Sequence, residues 1–235
     1  MNILVVAAHP DDEVLGCGGT IKRLAAEGHT ITIAILGEGI TSRYQERAAA
    51  DTELVSQLHD RCCRVGKSLG AIKTVVEQLP DNRFDTVPLL DVVKMVEKII
   101  EDARAEVIFT HHGGDLNIDH VIVNRAVLTA TRSIPGQAVK EVYAFEVPSS
   151  TEWGFQQFTP AFAPNLFVDV TETLADKIRA MAMYDSESRD FPHPRSSQAL
   201  EAIAMRWGSV AGCERAEAFQ LIRRVCRIGE KCLAV

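Results

Sequence analysis

The sequence predicts an α/β fold, a mostly parallel sheet with helices on both faces and a largely helical C-terminal portion. Two observations carry this expectation. Short continuous runs rich in Val and Ile alternate with longer segments of helical spacing over roughly the first two thirds of the chain, while helical spacing dominates the rest. No linker rich in Gly, Ser or Pro, no internal repeat and no low-complexity tract interrupts them, so residues 1–235 read as one domain.

The first run, Asn2–Ala8, is continuously apolar, as in a parallel strand buried on both faces. Glu13–Glu27 follows with Val14, Ile21, Leu24 and Ala25 at helical spacing, and Gly28 stands where a helix end favours glycine. His29–Leu36 is a second β-branched run, which completes a strand–helix–strand unit. Asp51–Leu69 is helical, Gly70 ends it, and Ile72–Val76 is a strand. Val87–Arg104 is helical on Leu90, Val93, Val96, Ile99 and Ile100; Glu106–Thr110 is a strand and His120–Arg132 a helix. Val139–Val147 and Asn165–Val170 are β-rich. Thr171–Tyr184 and Ser196–Trp207 read as helices, and Glu214–Arg223 as a continuation of the helical run.

With 46% hydrophobic and 24% charged residues the chain has the make-up of a folded soluble enzyme, not of a disordered one. A net charge of -7 works against wrapping a nucleic-acid backbone, and the basic pair around Cys62 and Cys63 is too small to reverse that. The apolar runs are too short to span a bilayer, and Met1 runs into a strand without a basic leader or cleavage pattern. The cytoplasm is therefore the expected location. The cysteines, Cys17, Cys62, Cys63, Cys213, Cys226 and Cys232, form no C-x-x-C pair, which argues against a zinc ribbon. They are expected to be reduced and mostly buried.

Ligands of open α/β sheets bind beyond the carboxyl ends of the strands. Ala8-His9-Pro10-Asp11-Asp12-Glu13 stands there, after the first strand. Proline and acidic residues suit any helix start; the histidine at the tip of an apolar strand is what points to a site. A second ligand-rich loop, His111-His112-Gly113-Gly114-Asp115-Leu116-Asn117-Ile118-Asp119-His120, follows Glu106–Thr110. Two such loops at one sheet edge are hard to explain by packing. A catalytic zinc takes three protein ligands and keeps one position open. His9 and Asp12 lie across a helix-starting turn and can point the same way, and His120 can complete a His-Asp-His set. Adjacent Asp11 and Asp12 diverge, so the carboxylate that does not bind metal is placed to take a proton from water. Zn2+, Fe2+ or another divalent ion suits such a set.

These strings resemble the signature of the PIG-L / LmbE-like deacetylases, in His9-Pro10-Asp11-Asp12-Glu13 and in Asp119-His120. His193-Pro194-Arg195-Ser196 and Ala216-Glu217-Ala218-Phe219 are also similar to family features, so the resemblance covers nearly the whole chain. It implies a Rossmann-like fold and zinc-dependent removal of an N-acetyl group from N-acetylglucosamine-containing compounds. The partner is then a small N-acylated amino sugar or conjugate. It implies His9, Asp12 and His120 as zinc ligands and Asp11 as general base. Many members carry a histidine three positions before the last ligand; here it is Asn117, in an Asp-Leu-Asn-x-Asp-His form. An asparagine can donate a hydrogen bond to an oxyanion but cannot protonate a leaving amine. Asn117 is expected as an oxyanion donor, and the general acid stays open among Asp11, His193 and His112.

Other residues carry weaker expectations. Asp119 suits capping of the following helix and also support of a metal-bound imidazole. Arg43, Arg83 and His193 lie in loops suited to substrate contacts, and Trp153 suits packing over sugar stacking. Gly16-Cys17-Gly18-Gly19-Thr20 lacks the lysine of a phosphate loop and suits close packing of the first helix. Two competing readings are a non-catalytic carbohydrate- or metal-binding module and a nucleotide-binding oxidoreductase; the latter lacks its glycine fingerprint after the first strand. A homo-oligomer is left open.

Overall fold

The computed structural model describes residues 1–226. Seven strands form one sheet: β1 (Asn2–Ala7), β2 (Thr30–Gly37), β3 (Lys73–Leu79), β4 (Val107–His111), β5 (Glu141–Phe145), β6 (Leu166–Asp169) and β7 (Ala216–Arg224). Their order is β3-β2-β1-β4-β5-β7-β6. The first five run parallel, whereas β7 is antiparallel to both β5 and β6.

Alternation along β1 shows how the sheet fills two cores. Ile3, Val5 and Ala7 face one side, packed with residues of α1 (Asp12–Ala26), α2 (Thr52–Leu69) and α5 (Leu174–Ala182). Leu4, Val6 and Ala8 face the other, against α3 (Leu89–Ala103) and α4 (Ile118–Ala130). A strand buried on both faces has no polar side to show, which is why these runs are continuously apolar. A third, smaller cluster joins Trp207 of α6 (Ser197–Ala211) to Ala216 and Ala218 of β7.

The helix ends follow their local chemistry. Asp51 caps α2 by accepting from the N–H groups of Glu53 and Leu54, and Gly70 closes it in the left-handed region at φ 96°. Within α1 the helix breaks at Cys17, whose φ is -150°. The break is repaired from far along the chain. Glu217 accepts from the N–H groups of Gly19 (3.1 Å) and Thr20 (2.7 Å), and Lys177 Nζ donates to the carbonyl of Leu15 (2.8 Å) and to Glu217 (2.6 Å). Close packing accompanies it: a Cβ on Gly16 would lie 2.3 Å from the Phe145 ring.

Glu214–Arg223 is not helical; Ala216–Arg224 is strand β7. The segment lies between β5 and β6, where both of its backbone edges are paired and Ala216–Phe219 are buried. Tertiary pairing decides the conformation of this run over its helical spacing. Of the cysteines, Cys17 and Cys62 are buried, whereas Cys63 and Cys226 are exposed and Cys213 is intermediate, so burial holds for fewer thiols than expected. All five are free; Cys232 lies outside the described residues. No helix among the described residues is long and apolar enough to cross a membrane.

The topology also locates a crevice. From β1 the chain moves outward through β2 to β3, then returns to place β4 on the other side of β1. The loops after β1 and β4 therefore diverge at the switch point, where open α/β sheets bind ligands.

Candidate metal centre and its cleft

Both ligand-rich loops meet at that switch point. His9 follows β1 and Asp12 opens α1, while His120 comes from the first turn of α4. One ligand atom from each of His9, Asp12 and His120 lies within 4.8 Å of the others. Asp12 Oδ2 stands 3.3 Å from His9 Nδ1 and 3.3 Å from His120 Nε2. Two imidazole nitrogens and one carboxylate oxygen converging this closely fit a divalent cation with an open position.

Each imidazole turns its other nitrogen to a carboxylate. His9 Nε2 is 3.0 Å from Asp119 Oδ2, and His120 Nδ1 is 3.2 Å from Asp115 Oδ1. Such partners fix ring orientation and tautomer in metal-bound histidines. The carboxylates are themselves anchored. Asp119 Oδ1 accepts from the Phe84 N–H, and Asp115 accepts from the Asn117 N–H and the Ser150 and Thr151 hydroxyls. Asp119 thus supports His9, not its neighbour His120. The cap of α4 is Asn117, whose Oδ1 accepts from the Asp119 N–H at 2.9 Å. The Asn117 amide nitrogen donates to Asn82 Oδ1 at 3.0 Å.

Below this set, His111 stacks on His120 at 3.9 Å between ring centroids. Its Nε2 accepts from the Ala8 N–H at 2.8 Å, which ties the tip of β1 to β4. Burial and the adjacent His120 push His111 toward its neutral form, as that acceptor role requires. Burial also works against protonation of His9 and His120, but the surrounding carboxylates outweigh it: Asp119 and Asp12 raise His9 to about 10, and Asp12 and Asp115 raise His120 to about 9. The centre is a field that favours positive charge. For Asp12, burial opposes ionisation, yet His120, by its charge and hydrogen bond, and the His9 hydrogen bond hold it well below the usual carboxylate range.

Asp11 is separate from the ligand set. Its backbone is left-handed, at φ 98°, which swings its side chain away from that of Asp12. Its Oδ2 accepts from Arg195 Nη1 at 2.8 Å. Burial pushes its carboxyl up, with Arg195 opposing. Both aspartates line a cleft of about 210 Å³, which Arg43, Asp81, Asn82, Asn117 and Arg195 also line. Arg43 is paired with Glu187 at 2.5 Å. Arg83 and His193 are not among the lining residues, nor is His112, whose Nε2 lies 2.8 Å from the Pro160 carbonyl. Trp153 is exposed and meets the His193 ring edge-on at 5.6 Å.

Sequence reasoning passed over Asp115, Glu187 and the reach of Arg195. Asp115 had a signal, a carboxylate in the same loop as a candidate metal-ligand histidine. Glu187 had none, since it sits in an irregular polar stretch after α5.

The family profile described as GlcNAc-PI de-N-acetylase (PIG-L) matches residues 4–131. The chain is 29% identical over 175 residues to the uncharacterized deacetylase YaiS of Escherichia coli K12, covering 72% of this chain and 82% of that protein. It is 25% identical to the 1D-myo-inositol 2-acetamido-2-deoxy-alpha-D-glucopyranoside deacetylase of Mycobacteroides abscessus, covering 80% of this chain and 76% of that one. Among solved structures, the 4-carboxy-2-hydroxymuconate hydratase of Pseudomonas putida KT2440 superposes with a TM-score of 0.73 at 20% identity, over 99% of this chain and 100% of that one. That last likeness shows the fold alone, and a shared fold does not choose the reaction.

Proposed function

The chain belongs to the PIG-L de-N-acetylase family, and from that premise we propose that it hydrolyses the N-acetyl group of a small amino-sugar compound, as a single domain, with His9, Asp12 and His120 holding a metal ion and Asp11 acting as general base. The observation that carries the proposal is the convergence of those three donor atoms within 4.8 Å, with a fourth carboxylate, Asp11, beside them and outside the set. A spare base next to a metal set serves hydrolysis and has no use in a module that only binds. Zinc is the proposed ion, and iron(II) is the other that this donor set accepts. Bound there, the ion supplies Lewis acidity, which acidifies water and polarises the amide carbonyl.

The chain's own residues divide the remaining work. Asp11 takes the proton of the attacking water, and its protonated carboxyl is the one placed to pass that proton to the departing amine. Asn117 lies at the cleft wall and its amide donates to Asn82, so an oxyanion role would use its second N–H. Arg43 is half exposed at the cleft rim and is the proposed contact to polar groups of the substrate. Arg83 and His193 stand outside the cleft lining and take no part in this reading.

The test is acetate release from a panel of N-acetylated amino sugars by metal-free protein with and without added zinc or iron(II). Metal-dependent release is expected, with Asp11→Asn retaining the metal and losing roughly 10²- to 10⁴-fold in kcat. Stoichiometric metal binding without release from any panel member would overturn the reaction class.

A further inference from the structure

The proposed base is held by one guanidinium, and that guanidinium does more than pair with it. Arg195 Nη1 donates to Asp11 Oδ2 at 2.8 Å and to Glu187 Oε2 at 3.3 Å, and Nε donates to Ser149 Oγ at 2.7 Å. Asp11 and Ser149 share an unusual property. Both are non-glycine residues in the left-handed region, at φ 98° and 75°. Such residues are strained and persist where their surroundings over-determine them. Arg195 grips both, from a segment that is itself fixed: its N–H donates to His193 Nδ1 at 3.1 Å, and the next residue, Ser196, caps α6.

The asymmetry at Asp11 is the informative part. Its hydrogen bond and ion pair among the described residues fall on Oδ2, and Oδ1 accepts none. A carboxylate tethered by one oxygen to a cation has the other oxygen left as proton acceptor, in one orientation. Arg195 is also mostly covered, its side chain 28% exposed, whereas Arg43 is 47% exposed and, among the described residues, reaches only Glu187. The two cleft arginines are thus built differently, one as an internal brace and one as a rim group.

We infer that Arg195 is the positioning residue of the base: its guanidinium clamps Asp11 by Oδ2 and binds the Ser149 loop to the same point, which keeps the carboxylate off the metal and presents Oδ1 to the water. This inference rests on the proposed role of Asp11. The substrate meets Asp11, and Arg195 acts through it.

The full chain, metal-loaded, is compared as wild type, Arg195→Lys and Arg195→Ala on whichever N-acetylated amino sugar the wild type turns over. Metal content, kcat and KM are measured, with and without added guanidinium chloride at millimolar concentration. For Arg195→Ala, kcat should fall on the order of 10²-fold, with KM within about twofold and metal stoichiometry unchanged. Added guanidinium should restore part of kcat, and Arg195→Lys should lie between the two. A raised KM with kcat intact would make Arg195 a substrate contact and overturn the inference. So would loss of the metal, or kcat loss that guanidinium leaves untouched while Arg195→Lys behaves like Arg195→Ala. A wild type inert on every amino sugar would instead sink the reaction class on which the inference stands.

Discussion

Two buried charged clusters meet the same helix, and they are built to opposite ends. At the break in α1, Lys177 and Glu217 are each less than a tenth exposed and engage one another and the backbone groups that the break sets free. Charge balances charge there. At the start of α1, Asp11, Asp12, Asp81, Asp115 and Asp119 are all buried within a few side chains of each other; Arg195 offsets the first of them, and the two imidazoles of His9 and His120 stand among the other four. A buried surplus of carboxylate is costly unless paired or bound to a metal. The closed cluster holds the fold; the open one keeps a surplus that the proposed cation would offset.

The largest test breaks the closed cluster. Lys177→Met strands a carboxylate in the interior and should cost about 3–5 kcal/mol, read from the shift in denaturant midpoint, while the folded fraction keeps its metal stoichiometry. A loss under about 1 kcal/mol would mean that solvent reaches Glu217 and that the pair is no structural element. The next test sharpens the contrast at the open cluster. Asp119→Asn and Asp115→Asn should each weaken metal binding about 10- to 100-fold, measured by chelator competition, without the stability loss of Lys177→Met. Equal damage to the metal-free fold would erase the distinction between the clusters. The smallest effect is expected at Asn117, which sits in the cleft but serves as a helix cap. Asn117→Ala should lose about 1 kcal/mol of stability, and Asn117→Asp should keep it, as followed by thermal unfolding. A kcat that does not change in Asn117→Ala would remove Asn117 from the chemistry.

How much of this was legible in the sequence depends on whether the determinant is local. The strand β1 announces itself as a continuous apolar run, because burial on both faces leaves no alternation to hide in, and β2 and β4 announce themselves as short runs rich in β-branched residues. His9, Asp12 and His120 could be paired on paper because each follows a buried strand at one sheet edge. The strand β7 could not, since its conformation is set by two neighbours that are distant in sequence. Partner choice within the site was equally non-local. Adjacency in sequence pairs Asp119 with His120, yet the helical turn carries Asp119 to His9 and leaves His120 to Asp115. In the string His193-Pro194-Arg195 the histidine is the sequence candidate for general acid or substrate contact, whereas it is the arginine that reaches Asp11, from the residue before the α6 cap.

The placement of β7 has a consequence for how the molecule comes into being. β6 joins the sheet only through β7, yet it precedes β7 by the whole of α5 and α6. On the ribosome, strands β1 to β5 can pair in the order in which they emerge, while β6 has no neighbour and β5 keeps an open edge. At about 5–20 residues per second that interval lasts seconds, and an unpaired edge invites pairing with other chains. The same late strand brings Glu217 to the break in α1. A nascent chain stalled short of β7 therefore owns every proposed metal ligand and still lacks the support of the helix that carries Asp12, which makes it a candidate for chaperone capture before it can be an enzyme.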